Sequence, residues 1–253
     1  MQRTRLDKLV VERGLAPTRK KAQALILAGQ IHVNGGRAEK AGTLVPATAA
    51  VELVGTRPRY VGRGGLKLEG ALEDFSLAPS GKVCLDIGAS TGGFTDCLLQ
   101  HGARKVFAVD VGRGQLDWRL RRNPRVTLLE GKNARYLKPD ELGEPVDFIT
   151  IDVAFISVEK ILPAAVACAH TGTGADLLIL VKPQFELARR QVGKGGIVRD
   201  PALQQQAVEK IARAARQLGL EVCGVRESRL RGAPKLRGNR EFFLLAHLAK
   251  EKT

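Results

Sequence analysis

The sequence predicts a Rossmann-like α/β domain with a mainly parallel sheet and an antiparallel last strand, preceded by a small α+β domain. Three observations predict this arrangement. From Leu66 onward, short apolar segments typical of strands alternate with helical patterns, as they do in βαβ units. A glycine-rich turn follows the first of these strands, where doubly wound folds bind ligands. The first 60 residues differ, because they are strongly basic and contain two short helical patterns.

The net charge favours a polyanionic partner. The chain has 41 Lys and Arg against 26 Asp and Glu, a formal net charge of +15. Such a field attracts phosphate polymers or an anionic membrane surface, although a basic protein can also be merely soluble and promiscuous. The most apolar region, residues 161–181, is interrupted by His170 and Asp176, and its apolar clusters are too short to span a bilayer. Nucleic acid is therefore the partner that we favour.

The cysteine spacing and the N-terminal sequence indicate whether disulfide bonds, a metal site or secretion should be expected. The four cysteines are scattered, with neither a C-x-x-C pair nor a Cys/His cluster of metal-ligand spacing. We expect reduced, mostly buried thiols and no metal site. Residues 1–14 carry charges where a signal peptide needs an apolar core. A cytoplasmic protein with no stable membrane association is the expectation.

Residues 1–60 are predicted to form a compact basic domain. Apolar faces indicate one helix ending near Gly14 and a second, capped by Thr18, that ends at Gly29. A small β element is predicted around the Asn34-Gly35 turn. This stretch has 11 Lys and Arg against four Asp and Glu. The candidate RNA contacts near the helix starts are Arg3, Arg5, Arg19, Lys20 and Lys21. A solvated helix surface is the alternative interpretation of these charges.

A linker is predicted at about residues 55–65, because this Gly-, Pro- and Arg-rich stretch lacks periodicity. It divides the chain into domains of residues 1–60 and 61–253. Arg59 and Arg63 in the linker are further candidates for RNA contacts.

The second domain is predicted to begin with a helix from Leu66 and to continue as alternating strands and helices. A helix capped by Asp200 precedes the last two strands. The predicted strands are Val83–Ile87, Val106–Asp110, Val126–Glu130, Phe148–Asp152, Leu177–Lys182, Glu221–Val225 and Phe242–Leu248.

The segment Asp86–Phe94 is the most specific local motif. Its pattern D-x-G-x-x-x-G-G departs from the dinucleotide fingerprint and suits S-adenosylmethionine, whose amino-acid end has no pyrophosphate. Asp110 ends the next strand, where a carboxylate can accept hydrogen bonds from a ribose diol. A plain glycine-rich α/β turn is the alternative. The candidate cofactor contacts are Asp86, Gly88, Ala89, Ser90, Gly92, Gly93, Phe94, Asp110, Val111, Asn133, Ala134 and Asp152.

Four further residues are candidates for catalysis: Lys67, Asp152, Lys182 and Glu241. Asp152 and Lys182 end predicted strands, and ligands in open α/β sheets bind at that edge. Lys67 lies on the helix before the first strand, and Glu241 begins the last strand. Taken singly, each could instead be a surface charge or part of a structural ion pair.

The sequence resembles a known family over nearly its whole length. It is similar to the haemolysin-A-like (TlyA) family of ribosomal RNA 2′-O-ribose methyltransferases, whose catalytic domain is of the FtsJ type. Residues 3–35 resemble the RNA-binding domain named for the fourth small-subunit ribosomal protein, in Arg3, Leu6, Asp7, Leu9, Leu15, Arg19, Ala22, Ile26, Gly29, Val33, Asn34 and Gly35. The other matching segments are residues 63–68, 86–94, 110–112, 152–157, 182–186, 193–196 and 238–241.

The resemblance implies a Rossmann-like methyltransferase fold, S-adenosylmethionine as cofactor, and ribosomal RNA or ribosomal subunits as partners. It further implies methylation of a cytidine ribose in small- or large-subunit ribosomal RNA, and a Lys-Asp-Lys-Glu set at Lys67, Asp152, Lys182 and Glu241. Within this set we assign Lys182 as base or hydroxyl activator. Lys67 would hold the hydroxyl or a nearby phosphate, and the two acids would orient the ammonium groups.

Three other functions stay open at this point. A base-modifying RNA methyltransferase would share the fold and the cofactor but need a different acceptor site. A cytolysin would suit the family name and the basic charge, although no membrane segment is evident in the sequence. An RNA-binding scaffold with a vestigial catalytic domain is the third, and the intact motif residues argue against it.

Overall fold

The computed structural model describes residues 3–54, 58–231 and 238–250. The chain forms two compact units, residues 1–59 and 60–253. The apolar core of the first unit is made only of residues within 6–53, and the two apolar clusters of the second unit only of residues from Tyr60 onward. Each unit therefore has a core of its own.

The N-terminal unit is a small α+β fold. Its elements are β1 (Arg3–Arg5), α1 (Leu6–Glu12), α2 (Arg19–Leu27), β2 (Ile31–Val33), β3 (Gly36–Arg37), β4 (Leu44–Pro46) and β5 (Val51–Leu53). Strand β1 pairs with β4, and β3, β2 and β5 form a three-stranded antiparallel sheet. The predicted Asn34-Gly35 turn joins β2 to β3 with both residues at positive φ, as two-residue hairpins require.

The two predicted N-terminal helices are present. Thr18 caps α2, because its hydroxyl accepts a hydrogen bond of 3.2 Å from the Lys21 N–H. The apolar faces of both helices pack into one core around Val10 and Ile26, which are nearly inaccessible to solvent.

The C-terminal unit is a three-layer α/β fold. Its elements are α3 (Gly64–Asp74), β6 (Val83–Ile87), α4 (Gly93–Gln100), β7 (Lys105–Asp110), α5 (Trp118–Arg121), β8 (Val126–Glu130), β9 (Phe148–Ile151), α6 (Leu162–Ala167), β10 (Ala175–Val181), α7 (Pro183–Glu186), α8 (Pro201–Gln217), β11 (Glu221–Glu227) and β12 (Phe242–Leu248). The strand order is β11-β12-β10-β9-β6-β7-β8. The strands β10, β9, β6, β7 and β8 are parallel to one another. Strand β12 runs antiparallel to both of its neighbours, β10 and β11, which confirms the predicted fold class.

Alternate residues of the central strands face two apolar layers. Leu85 belongs to the layer that includes α6 and α8, whereas its neighbour Cys84 belongs to the layer that includes α3 and α4. Both faces of the central strands are buried, which explains why their sequences are nearly continuous apolar runs.

The C-terminal part of the predicted linker is folded structure. Tyr60 is buried in the second unit, and α3 begins at Gly64 rather than at Leu66. Gly93 at the start of α4 allows close packing on α3, since a Cβ there would lie 2.9 Å from the Gly65 nitrogen. Gly65 in turn leaves room for Tyr60, whose side chain would lie 2.2 Å from an added Cβ. The N-terminal part of the predicted linker, residues 55–57, lies outside the described residues.

Candidate active site

The candidate site lies along the carboxyl edge of the parallel strands. The Asp152 N–H donates a hydrogen bond of 2.9 Å to the carbonyl of Ile87, so the residues that follow β9 and β6 are neighbours. In the antiparallel pair of β10 and β12, Val181 is opposite Phe242, which places Lys182 across from Glu241. The topology therefore brings Asp152, Lys182 and Glu241 to one edge beside the glycine-rich loop.

The four catalytic candidates form two ion pairs. The Lys67 ammonium donates to the Glu241 carboxylate, and the Lys182 ammonium lies against the Asp152 carboxylate. The side chains are largely withdrawn from solvent, from 4% exposed for Glu241 to 21% for Asp152. Pairs of this kind are screened far less than surface pairs, so each acid can hold its lysine in place.

The Lys182 ammonium occupies one carboxylate oxygen of Asp152. Oδ1 of Asp152 is buried and is the oxygen that forms the ion pair. Buried carboxylate oxygens are normally satisfied by partners of this kind. This oxygen is therefore paired with Lys182 rather than left open for a ligand.

The glycine-rich loop packs directly on the loop after β9. Gly88 has φ of +88°, and a Cβ there would lie 2.2 Å from the carbonyl oxygen of Asp152. Gly92, with φ of +97°, caps α4. Ala89 is buried, and Phe94 is buried against Phe243, with ring centroids 6.2 Å apart. Phe94 therefore supports the loop from below, whereas the backbone of the loop forms its surface.

Asp110 holds the opposite side of the loop. One of its carboxylate oxygens accepts a hydrogen bond of 2.7 Å from the Ser90 N–H, and the other accepts one of 2.6 Å from the Gly112 N–H. The side chain of the neighbouring Val111 is 73% exposed. An acid and an exposed apolar surface thus lie side by side at the end of β7.

Asp86 lies beneath the loop rather than at its surface. Its side chain is fully buried and accepts hydrogen bonds from the hydroxyls of Thr95 (2.6 Å) and Thr150 (3.1 Å). Burial raises the pKa of Asp86 to about 7, although these two hydrogen bonds act in the opposite direction. The residue connects β6, α4 and β9 under the predicted cofactor site.

The turn after β8 contains the remaining cofactor candidates. The Asn133 side chain accepts a hydrogen bond of 3.2 Å from the Arg135 N–H, and Ala134 is buried. Asn133 therefore fixes the turn at the same edge of the sheet as Asp110.

A pocket of about 760 Å³ is lined largely by the loops that follow β9 and β10, whose first residues are Asp152 and Lys182. It has an aromatic wall, because the rings of Phe155 and Phe185 lie 5.3 Å apart and Phe155 is 92% exposed. Its cationic lining comes from Arg135, Lys160 and Lys210. Both phenylalanines lie in segments that resemble the family, residues 152–157 and 182–186, but the sequence alone predicted no role for either one. An aromatic residue three positions after a strand-terminal acid, Phe155 after Asp152, is the sequence signal that could have identified this pocket.

Two of the predicted RNA contacts in the N-terminal unit are bound to a buried acid. Arg5 donates two hydrogen bonds of 3.1 Å to Asp7 and Arg19 donates one of 3.0 Å, and Gln23 donates a fourth at 2.9 Å. The Arg5 guanidinium in particular holds the pKa of Asp7 well below its usual range. The other RNA candidates are all exposed: Arg3, Lys20, Lys21, Arg59 and Arg63.

The residues at the sheet edge fit S-adenosylmethionine. The close approach at Gly88 leaves an open backbone surface, and Asp110 lies where a ribose can be bound. Exposed Val111 can cover an adenine ring. The carboxylate of Asp152 complements the cationic end of the cofactor.

Comparison with known proteins agrees with this geometry. The profile of the FtsJ-like methyltransferases matches residues 60–247, and that of the S4 domain matches residues 4–51. The 16S/23S rRNA (cytidine-2'-O)-methyltransferase TlyA of Mycobacterium tuberculosis is 48% identical over 244 residues, 96% of this chain and 89% of that protein. The chain belongs to the TlyA family of FtsJ-like methyltransferases. Hemolysin A of Brachyspira hyodysenteriae is also similar to this TlyA-family chain, at 39% identity over 96% of this chain and 98% of that one.

A solved structure has the same fold as this TlyA-family methyltransferase. It comes from Streptococcus thermophilus, is 40% identical in sequence, and aligns with a TM-score of 0.73. The alignment covers 98% of this chain and 90% of that chain. Among the described residues, no group of three or more His, Cys, Asp or Glu side chains could hold a metal ion. No helix in this part of the chain is long and apolar enough to cross a membrane.

Proposed function

We propose that this protein transfers a methyl group from S-adenosylmethionine to the 2′-hydroxyl of a cytidine in ribosomal RNA. The convergence of the pairs Lys182–Asp152 and Lys67–Glu241 beside the glycine-rich loop carries the proposal. This set of residues suits the deprotonation of a hydroxyl, whereas a base-modifying enzyme would need a different acceptor site.

When bound, S-adenosylmethionine supplies an electrophilic methyl group. The residues proposed to hold it are the loop from Gly88 to Gly93, Asp110 with Val111, and the Asn133 turn. Asp86 contributes from below by fixing the end of β6. Alignment of the two substrates supplies much of the rate in reactions of this kind.

Lys182 is the proposed proton acceptor for the ribose hydroxyl. Asp152 holds its position. Lys67, held by Glu241, is proposed to bind the hydroxyl or a neighbouring phosphate. A positioned base of this kind contributes roughly 10² to 10⁴ in rate.

The RNA surface is proposed to include both units. The S4 domain offers exposed cations for phosphate contacts, and the pocket at Phe155 and Phe185 combines cations with aromatic rings. Ribosomal RNA or ribosomal subunits in the cytoplasm are the proposed partners. The proposed domains are residues 1–60 and 61–253.

The test uses labelled S-adenosylmethionine with separated small and large ribosomal subunits. We expect label in ribosomal RNA as alkali-resistant linkages, because a 2′-O-methyl group blocks alkaline cleavage, and nuclease digestion should give methylated cytidine. Label in alkali-sensitive nucleotides would favour base modification instead. RNA binding without any methyl transfer would favour the scaffold.

A further inference from the structure

Glu186 connects the loops that follow β9 and β10. Its side chain is only 1% exposed, and it accepts a hydrogen bond of 2.8 Å from the Val158 N–H and another from the Ser157 hydroxyl. Glu186 ends α7, four residues after Lys182, whereas Ser157 and Val158 close the loop that begins at Asp152. One carboxylate thus ties the loop of the catalytic acid to the loop of the catalytic lysine.

A cation from α8 completes this junction. The Lys210 ammonium lies 3.1 Å from the backbone carbonyl of Glu186, 3.2 Å from the Ser157 hydroxyl and 3.5 Å from the Glu186 carboxylate. It also pairs with Glu159 at 3.1 Å. Breaking a buried ion pair by removing one partner is costly, because it leaves an uncompensated charge.

The tied loop has a conformation that needs support. Phe155 has φ of +66°, in the left-handed region that a bulky side chain rarely adopts, and its ring is almost fully exposed. Strained backbone of this kind persists only where the surrounding structure holds it. A buried ion pair adds little net stability compared with apolar packing of the same volume. We therefore expect the main contribution of this junction to be the positions of the two loops.

We propose that Glu186 is a positioning residue for methyl transfer: it sets the separation of Asp152 and Lys182 by fixing both loops, without touching either substrate. The proposal rests on the proposed function. It predicts that weakening the junction misplaces the Asp152–Lys182 pair, and a misplacement of about 1 Å can cost about 10²-fold in rate.

The experiment compares Glu186→Gln, Glu186→Ala and Ser157→Ala with Glu144→Gln in the full chain. Glu144 is the control, because it is a carboxylate paired with cations, Arg104 and Lys105, but lies outside the loops that follow β9 and β10. Single-turnover transfer from labelled S-adenosylmethionine to ribosomal subunits should fall about 10- to 100-fold in Glu186→Ala and less in Glu186→Gln. The KM for the cofactor should stay close to that of the parent, and Glu144→Gln should transfer like the parent. The melting temperature of Glu186→Ala should fall, because Lys210 loses a buried partner, so transfer rates are compared per folded protein at a temperature where every variant is folded.

Hydrogen exchange of the Val158 amide gives a readout that needs no acceptor. It should become faster in Glu186→Ala but not in Glu144→Gln, because the amide loses its hydrogen-bond acceptor. Unchanged exchange together with an unchanged rate would overturn the proposal. So would a rate that follows the folded fraction in every variant, which would make Glu186 merely structural. An inactive parent would contradict the proposed function instead, and exchange would then report only whether Glu186 holds the loop at Val158.

Discussion

Three aspartates at the sheet edge differ in environment, and the environment decides what each can do. Asp110 binds two backbone N–H groups at the rim of the loop and can still accept a ligand. Asp152 faces an ammonium. Asp86 lies underneath, bound to two threonine hydroxyls and removed from water. We therefore propose that cofactor binding, positioning and structural support are divided among these three identical side chains.

Replacing Lys182 separates its charge from its basicity. Lys182→Ala should lower single-turnover methylation by roughly 10² to 10⁴ while RNA and cofactor binding persist, because a positioned base is lost. Lys182→Arg keeps the positive charge beside Asp152, but a guanidinium is effectively never deprotonated in a protein. The arginine variant should therefore be nearly as inactive as the alanine variant. Near-normal methylation by Lys182→Arg would show that Lys182 acts by electrostatics or positioning.

The raised pKa of Asp86 predicts a pH dependence of stability. The folded value of about 7 exceeds the unfolded value of about 3.9, so between these pH values the native state holds a proton that the unfolded state has released. The contribution of Asp86 to the free energy of unfolding therefore falls as the pH rises from about 4 to about 7. One pKa unit corresponds to about 1.4 kcal/mol.

Asp86→Asn removes the titration and keeps the shape. Relative to this variant, the parent should lose more than about 1.4 kcal/mol of unfolding free energy between pH 4.5 and pH 7.5, because the shift exceeds one unit. Denaturant titrations at both pH values measure the difference. Parallel pH profiles for the two proteins would contradict an elevated pKa.

Residue types and motif spacing predicted which side chains meet at the edge, but not how they pair. Lys67 and Glu241 are 174 positions apart, and no local pattern connects them. The basic cluster near the helix starts likewise gave no sign that Arg5 and Arg19 both bind Asp7. Such pairings depend on tertiary geometry, which one sequence without an alignment does not contain.

At the scale of elements, predictability followed burial and length. The central strand Val83–Ile87 is buried along its whole length and has the predicted bounds, as has the half-buried edge strand Val126–Glu130. The three-residue strands β1 and β4 were not predicted, because Thr4 pairs with Val45 in a ladder too short to give a periodic pattern. The start of α3 was predicted two residues too late, because it begins with two glycines and glycine has a low helix propensity. Close packing of this end of α3 on α4 offsets that cost.

Gly88 is the glycine whose replacement should damage the site most directly. Alanine there combines positive φ with a Cβ placed 2.2 Å from the Asp152 carbonyl oxygen, so the loop after β9 must move. Gly81→Ala is the matched control, because Gly81 has φ of +74° with no atom within 4 Å of the added Cβ.

Gly81→Ala should cost about 1 kcal/mol of unfolding free energy from backbone strain alone. Gly88→Ala should cost more than this and should also weaken binding of S-adenosylmethionine, because it displaces Asp152. Denaturant unfolding and calorimetry measure the two effects. Equal losses of stability with cofactor affinity intact in Gly88→Ala would show that the loop can move away without harm to the site.

At the scale of the whole molecule, the basic charge is densest in the first unit, whereas the catalytic candidates lie in the second. The first 60 residues hold 11 of the 41 basic side chains with only four acids, whereas the catalytic candidates all lie beyond residue 60. Because the apolar clusters of the two units share no residue, the fold of the second does not depend on the core of the first.

Removing residues 1–59 should therefore weaken RNA binding without removing the cofactor site. Each phosphate contact that is lost lowers the slope of log affinity against log salt by roughly 0.7 to 0.9. If exposed Arg3, Lys20 and Lys21 each contact a phosphate, the slope should fall by about 2 to 3. Filter binding over a salt series measures this slope, and calorimetry with S-adenosylmethionine verifies that the truncated protein is folded. An unchanged slope in a truncated protein that still binds the cofactor would place the RNA anchor in the catalytic unit, whose pocket cations would then supply the phosphate contacts.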